Sequence, residues 1–336
     1  MNRRIAIVGA GVAGLTCARA LRTAGLEVVL FDKARGPGGR LPTRRRERFA
    51  FDHGAPFFHV ERERFRAEVS DWERAGVVEA WTPRRARISA SGARLLAPEP
   101  VWVGTPKMSA LGRHLSRGLD LRLSRRIVRL EAAGARWDLH ADDGSAETCF
   151  DGVALTVPPE LARDLIADSP ALADQVPSEQ VAMLPCWCLL LAFGSPFDPG
   201  FEVAQFDHPI LGQAIRNDAK PGRGPEPVWV VHASEAWSQA VLEDPPEFVG
   251  KEIETALRDL LPGLPEVVVR DTHRWRYARA AGSGAGHLGD ASRGLWIGGD
   301  WTLGPSVEDA FESGLELAAA IAEAPAAPSE VRPSRP

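Results

Sequence analysis

Arg4-Ile5-Ala6-Ile7-Val8-Gly9-Ala10-Gly11-Val12-Ala13-Gly14-Leu15 is the stretch that decides the fold, together with Val28-Val29-Leu30-Phe31-Asp32 one helix later. Residues 4–8 are a short β-branched run of the kind that fills a buried parallel strand. Gly9, Gly11 and Gly14 follow at G-x-G-x-x-G spacing. The first glycine permits the tight turn, the second lets a pyrophosphate approach the backbone, and the third lets a helix pack close to the sheet. A helix predicted over about 12–24 aims its free N–H groups and its positive end at that anion. Gly25 then fits the C′ position. Asp32 closes the second strand, where a carboxylate accepts hydrogen bonds from an adenosine ribose. Strand, glycine turn, helix and acid agree, so the pattern reads as a bound dinucleotide. A secretory leader also places arginines before an apolar run, as Arg3 and Arg4 do, but it needs neither the glycine spacing nor Asp32.

The bulk numbers narrow the class. At 336 residues the chain is long enough for two domains. A net charge of −5 argues against general nucleic-acid binding. No apolar run is long enough to span a bilayer; 187–193 has the length of a strand. Cys17, Cys149, Cys186 and Cys188 show neither metal-ligand nor redox spacing, which points to a reduced, cytoplasmic setting with no metal. Cys186 and Cys188 alternate onto one side of a strand. Most of the 10 tryptophans read as core or interface residues.

Beyond Asp32, Gly36-Pro37-Gly38-Gly39-Arg40 forms a second backbone loop able to press on a ligand, with Arg40 placed for a phosphate. A simple nicotinamide dehydrogenase has no use for it, whereas a longer flavin dinucleotide does. Arg45, Arg46 and Arg48 read as a solvated basic face. Further along, 61–82 reads as helix through Phe65, Val69 and Trp72, and 84–104 as short strands. The pattern gives a helix over 106–115 and strands over 121–131, 136–141, 151–157, 180–193, 228–233 and 267–275. Helices follow at about 160 and over 246–261, with a Pro/Gly loop at 218–227 and a glycine-rich loop at 281–294. A strand ends at Gly298-Gly299-Asp300, and a last helix starts near Ser306 with Asp309 at the capping-box position. Residues 324–336 read as a disordered tail.

These motifs together resemble the FAD-dependent amine-oxidase superfamily, and within it the bacterial renalase-like chains. The closer likeness runs through Asp32-Lys33-Ala34-Arg35-Gly36-Pro37-Gly38-Gly39-Arg40, Trp102-Val103-Gly104-Thr105-Pro106-Lys107-Met108-Ser109-Ala110, Ala219-Lys220-Pro221-Gly222-Arg223, His273-Arg274-Trp275-Arg276-Tyr277-Ala278 and Gly299-Asp300-Trp301. The resemblance implies a mixed α/β, two-domain p-hydroxybenzoate-hydroxylase-like flavoprotein with a Rossmann-type FAD domain and a mixed-sheet substrate domain. The FAD domain is expected over 1–60, 100–165 and 285–323, and the substrate domain over 61–99 and 166–284. Non-covalent FAD is expected on Gly9, Gly11, Ala13, Gly14, Asp32, Lys33, Gly39, Arg40, Gly54, Ala55, Val128, Gly299, Asp300, Val307 and Ala310. Within that set, a backbone group at Ile127 or Val128 pairs with adenine, and the Val307 helix faces the flavin N1–C2=O edge. Two departures stand out: Pro56-Phe57 replaces the family's Gln-Tyr, and Ser306-Val307-Glu308-Asp309-Ala310 replaces Arg-Val-Glu-Gly-Ala. The second lowers anion stabilisation at the flavin.

The activity this implies is oxidation of a 2- or 6-dihydro isomer of NAD(P), with hydride passing to flavin N5 and O2 reduced to H2O2. A dihydropyridine expels its own hydride, which suits a chain with no catalytic dyad or triad. Trp275 and Trp301 are the expected aromatic walls, with Phe57 and Trp81 behind them; His232 and His273 are candidate donors to a carboxamide. Arg216, Lys220 and Arg223 are candidate phosphate contacts. The alternatives are an amine oxidase acting on a small amine, a polyene or tetrapyrrole desaturase, and a flavin-binding protein without turnover. A single tyrosine, Tyr277, argues against a tyrosine cage for an amine. The expected partners are a small-molecule substrate and O2, with no nucleic acid and no membrane.

Overall fold

Ile5, Ala6 and Ile7 have no exposed surface because the strand they form is inner on both sides and both faces. The computed structural model describes residues 3–167, 176, 183–280, 282 and 284–325. Contacts divide the chain into two units: 1–39, 112–182 and 280–336 form the first, and 40–111 with 183–279 form the second.

In the first unit Arg4–Val8 pairs in parallel with Glu27–Phe31 on one side and Gly152–Leu155 on the other. The six-stranded sheet is completed by Asp120–Arg122, Leu295–Gly298 and the antiparallel edge His287–Asp290. Strand order therefore reverses at Arg4–Val8, and an open α/β sheet binds ligands at the carboxyl ends of the strands beside such a reversal. Gly9 stands there. Helices Val12–Thr23 and Val307–Glu323 pack on each other so closely that a Cβ on Gly314 would lie 2.5 Å from the Ala13 carbonyl. Strands Ile127–Ala133, Arg136–Ala141 and Ala146–Phe150 form a separate antiparallel sheet. Gly25 adopts φ +85 after the first helix, as its C′ position requires.

The second unit is built on a seven-stranded sheet. Its order is Val267–Arg279, Leu184–Phe193, Val228–Ala233, Leu211–Arg216, Val203–Phe206, Arg85–Ser89 and Gly92–Leu95. Leu184–Phe193 is buried on both faces, hence its unbroken apolar run. Leu189, Leu191 and Phe193 join one core with Val249, Ile253 and Leu257 of helix Pro246–Leu260. Cys188, Leu190 and Ala192 join the other with Phe49 and Phe51. Cys186 packs against that second cluster, so both cysteines share a side, and all four cysteines are free thiols.

Several expected elements differ. The helix placed over 61–82 stops at Arg74, because Gly76 turns at φ +65, and Val78–Trp81 is a strand paired with Val101–Gly104. The strand placed over 121–131 is two strands, parted at Ser124 with φ +53. The loop placed over 281–294 contains the strand His287–Asp290, closed by a turn in which Asp290 accepts from the Ser292 and Arg293 amides. Arg46 is not simply solvated: with Arg44 it pairs Asp271. The contact division groups 40–60 and 100–111 with the second unit, where Phe49–Asp52 lies under the large sheet. The reading of 180–182 and of 326–336 falls outside the described residues. Among the described residues, no helix is long and apolar enough to cross a membrane.

Candidate functional site

The first unit presents a cradle made of backbone. Helix Val12–Thr23 begins at Gly11, which offers no side-chain cap, and its first turn contains no acid. Its positive end is thus open to an anion. The second glycine loop lies directly on the first. Gly38 donates its N–H to the Ala10 carbonyl at 2.8 Å, and a Cβ on Gly39 would lie 3.0 Å from Gly11 Cα. The Asp32 carboxylate accepts the Ala10 N–H at 2.6 Å and the Ala34 N–H at 2.7 Å, which fixes its direction while leaving it partly exposed. Lys33 beside it is exposed, and Ala13 is buried in the helix. Gly14 is obligatory, since a Cβ there would sit 2.0 Å from the Gly9 carbonyl. Thr156, which sequence spacing did not single out, donates its hydroxyl to that carbonyl at 2.9 Å. Val128 is the extra residue of a β-bulge between the pairs Ile127–Ala141 and Arg129–His140. A bulge leaves a residue out of the ladder, which is what a backbone contact to a base needs. These features fit a dinucleotide.

At the carboxyl end of strand Leu295–Gly298, on the same edge of the sheet as Gly9, Gly299 (φ +145) donates its N–H to the Ser313 hydroxyl at 2.8 Å, and Asp300 is 5% exposed. The helix starting at Val307 carries a complete capping box. Ser306 Oγ accepts the Asp309 N–H at 2.9 Å, and the Asp309 carboxylate accepts the Ser306 N–H at 3.1 Å. Ala310 lies half-buried one turn in. Trp301 is 1% exposed and donates its indole N–H to the Val157 carbonyl at 3.1 Å, so it is core and not an aromatic wall.

The second unit brings together an aromatic and imidazole cluster. Cys188 pairs in register with His232 on one neighbouring strand and with His273 on the other. The His273 ring meets the His53 ring edge-on at 4.7 Å and the Trp275 ring at 4.6 Å, while Trp275 stacks on His53 at 5.3 Å. His53 was missed by motif reading, because it enters from the Phe49–Asp52 strand and nothing in local spacing links it to Trp275. Burial drives all three imidazoles toward the neutral form. His53 is pushed down to about 3, with His273 and Arg44 adding repulsion. His232 is held at about 4, burial outweighing its bond to the His53 carbonyl, and His273 is held at about 4 by burial and Arg44. No described residue hydrogen-bonds the His273 ring. Phe57 belongs to another group, edge-on to His59 and Trp81.

Carboxylates nearby are already committed. Asp52 is fully buried and accepts from Arg223 at 2.5 Å, Lys220 at 3.4 Å, Thr43 at 2.6 Å and the Met108 N–H at 3.1 Å. Burial raises its carboxyl, but the Lys220 and Arg223 charges outweigh this and hold it below the ordinary value. Burial also pushes Lys220 down to about 8 against the pull of Asp52. Lys220 and Arg223 are therefore internal partners of Asp52, and Arg216 pairs Asp198 and Asp218; the expected role of all three as phosphate contacts is corrected. Arg40, placed in the second unit, donates to the Ala278 carbonyl at 2.9 Å, and its own carbonyl accepts the Ala55 N–H at 2.9 Å. Among the described residues no group of three or more His, Cys, Asp or Glu is arranged to hold a metal ion.

Comparison with known proteins bears on both units. A family model described as NAD(P)-binding Rossmann-like domain matches residues 7–70, and one described as flavin containing amine oxidoreductase matches 82–322. The chain is 27% identical over 305 residues to renalase of Mus musculus, covering 83% of this chain and 86% of that one. A shorter match, 45% over 53 residues, is to a zeta-carotene-forming phytoene desaturase of Myxococcus xanthus, covering 16% of this chain and 10% of that one. In fold it is similar to a putative protoporphyrinogen oxidase from Exiguobacterium sp. 255-15, with TM-score 0.78, 14% identity and coverage of 96% and 99%. It is similar also to putrescine oxidase bound to putrescine, with TM-score 0.73, 17% identity and the same coverage.

Proposed function

The chain belongs to the flavin-containing amine oxidoreductase family and is a flavin-dependent oxidoreductase, and from that premise we propose that it is an FAD-dependent oxidase of 2- or 6-dihydro isomers of NAD(P), releasing NAD(P)+ and H2O2. The FAD is held without a covalent bond. The open end of helix Val12–Thr23 and the Gly38-Gly39 loop take the pyrophosphate, Asp32 the adenosine ribose, and the Val128 bulge the adenine. Gly299, Asp300 and the start of the Val307 helix serve the remainder of the cofactor. When bound, the flavin accepts a hydride and returns the electrons to O2.

The carrying observation is the charge state of the second unit's cluster. Three imidazoles are neutral at physiological pH, Trp275 offers a ring face, and the neighbouring Asp52 and Asp271 are already paired with cations. A protonated amine gains no counter-charge from such a set, and burying an unpaired charge is costly. A neutral, planar carboxamide-bearing ring suits it: His273 has a free donor or acceptor for the amide, and the aromatic faces exclude water. No general base is required of the chain, because the dihydropyridine drives its own oxidation. Anaerobic mixing with 6-dihydro-NAD, followed by absorbance, tests the proposal. Rapid bleaching of the flavin, with no bleaching by putrescine, is expected. Bleaching by amines alone would establish the amine-oxidase alternative instead.

A further inference from the structure

The hairpin of Thr43–Arg46 and Phe49–Asp52 sets two arginines on the face it packs with. Residues directly opposite each other across an antiparallel pair share a face. Arg44 stands opposite Phe51 and Arg46 opposite Phe49, and both phenylalanines are core under the large sheet of the second unit. Arg45, opposite Ala50, points the other way. On the sheet, Asp271, His273 and Trp275 lie in register with Leu190, Cys188 and Cys186. They alternate onto that same side of strand Val267–Arg279, which is the edge of the sheet. Asp271 meets Arg44 at 3.2 Å and Arg46 at 2.5 Å, and no other described acid pairs either arginine. Two guanidinium groups thus share one carboxylate. The neutral His53 and His273, on which the Arg44 charge acts, supply no negative charge. Lys220 and Arg223 share Asp52 in the same ratio, but their side chains are 0% and 5% exposed, whereas Arg46 is 52% exposed and within reach of a ligand. The trio therefore keeps a net positive charge at a partly buried edge, where an anion is held more strongly than in open solvent.

Alternate residues of a strand are about 7 Å apart. The carboxylate that gathers the arginines stands one such step from His273 and two from Trp275, along the edge. A dinucleotide has its parts in that order: a nicotinamide, a ribose, then a diphosphate that is anionic at both phosphoryl groups. We infer that Arg44 and Arg46 hold the diphosphate of the dihydronicotinamide substrate while His273 and Trp275 hold its ring. The substrate class rests on the functional reading above; the excess charge of the arginine pair does not. Asp271 is a positioning residue, fixing both guanidinium groups in a fork that phosphoryl oxygens can engage in pairs.

The test uses the FAD-loaded full chain. Arg46→Ala removes one guanidinium and leaves Asp271 its partner in Arg44, so no charge is stranded. Arg45→Ala makes the same change of net charge on the opposite face and is the control. The KM for 6-dihydro-NAD should rise about tenfold in Arg46→Ala, with kcat held. The KM for 6-dihydronicotinamide riboside, which has no phosphate, should not move, and Arg45→Ala should leave every constant alone. A shift equal in the two variants, or equal for dinucleotide and riboside, overturns the inference. Calorimetric titration with ADP-ribose, which carries the diphosphate without the nicotinamide ring, reads the same contact without turnover. A Kd about tenfold weaker in Arg46→Ala than in the wild type or Arg45→Ala is expected. Equal Kd values, or no uptake by the wild type, overturn the inference. A chain that oxidises neither dihydronicotinamide fails the functional reading instead, and the ADP-ribose titration still decides whether the arginine pair takes a diphosphate.

Discussion

Two helices of the first unit begin near glycine-containing strand ends, and they begin differently. Val12–Thr23 starts at a bare glycine with no side-chain cap and no acid in its first turn. Val307–Glu323 starts at Ser306 with a complete capping box and with Glu308 and Asp309 in its first turn. The first leaves its donors and its positive end for an external anion; the second supplies its own negative charge. The contrast separates a helix end left open within the chain from one whose polar groups are largely satisfied by it. The same distinction sets the open glycine cradle apart from the Asp52 cluster of the second unit, where every charge has an internal partner.

The largest expected effect comes from undoing that internal pairing. Asp52→Asn leaves Lys220 and Arg223 buried without their counter-charge, and a loss of about 3–5 kcal/mol in unfolding free energy is expected, read by denaturant melts. A loss below 1 kcal/mol would remove the contrast between the two regions. Next, Gly11→Asp would cap the open helix from within. Its Cβ meets nothing closer than 4.0 Å, so the fold tolerates it. FAD affinity should fall by about 100-fold, roughly 2.7 kcal/mol, while the melting temperature of the FAD-free protein holds or rises. Unchanged affinity would mean that no phosphate sits at this helix end.

Acid should also weaken the imidazole cluster. His53 and His232 are depressed in the fold, from the ordinary 6.5 to about 3 and about 4. Above pH 6.5 both states are neutral and the stabilisation is complete. As pH falls from 6.5 toward 4 and 3, the unfolded chain takes up protons that the fold refuses. Stability should drop by about 1.4 kcal/mol per pH unit for each such proton, and His53→Phe should flatten the slope. A wild-type slope equal to the variant's would contradict the assigned neutrality. The smallest effect is Asp309→Ala, which removes half of the capping box at a cost of about 1 kcal/mol. FAD affinity should change far less than in Gly11→Asp.

Local patterns carried a long way. The strand–glycine–helix–acid unit, the C′ glycine at 25 and the Ser306–Asp309 box were legible because each is a rule about spacing within a few residues. The reading failed where partners come from different strands. Lys220 and Arg223 look like free cations in a Pro/Gly loop, yet Asp52, 168 and 171 residues away, neutralises them. Trp301 follows a cofactor motif and resembles a site residue, but its indole N–H is turned inward to Val157. His53 and Cys188 acquire their significance only through the register that sets His232 and His273 on either side of Cys188. Composition carries no information about register between strands so far apart.

The visible absorbance spectrum of the purified full-length chain, taken before and after denaturation, tests the central claim most directly. The account predicts oxidised-flavin bands that pass into the supernatant as FAD when the protein is precipitated. A folded, colourless protein that takes up no added FAD would contradict it.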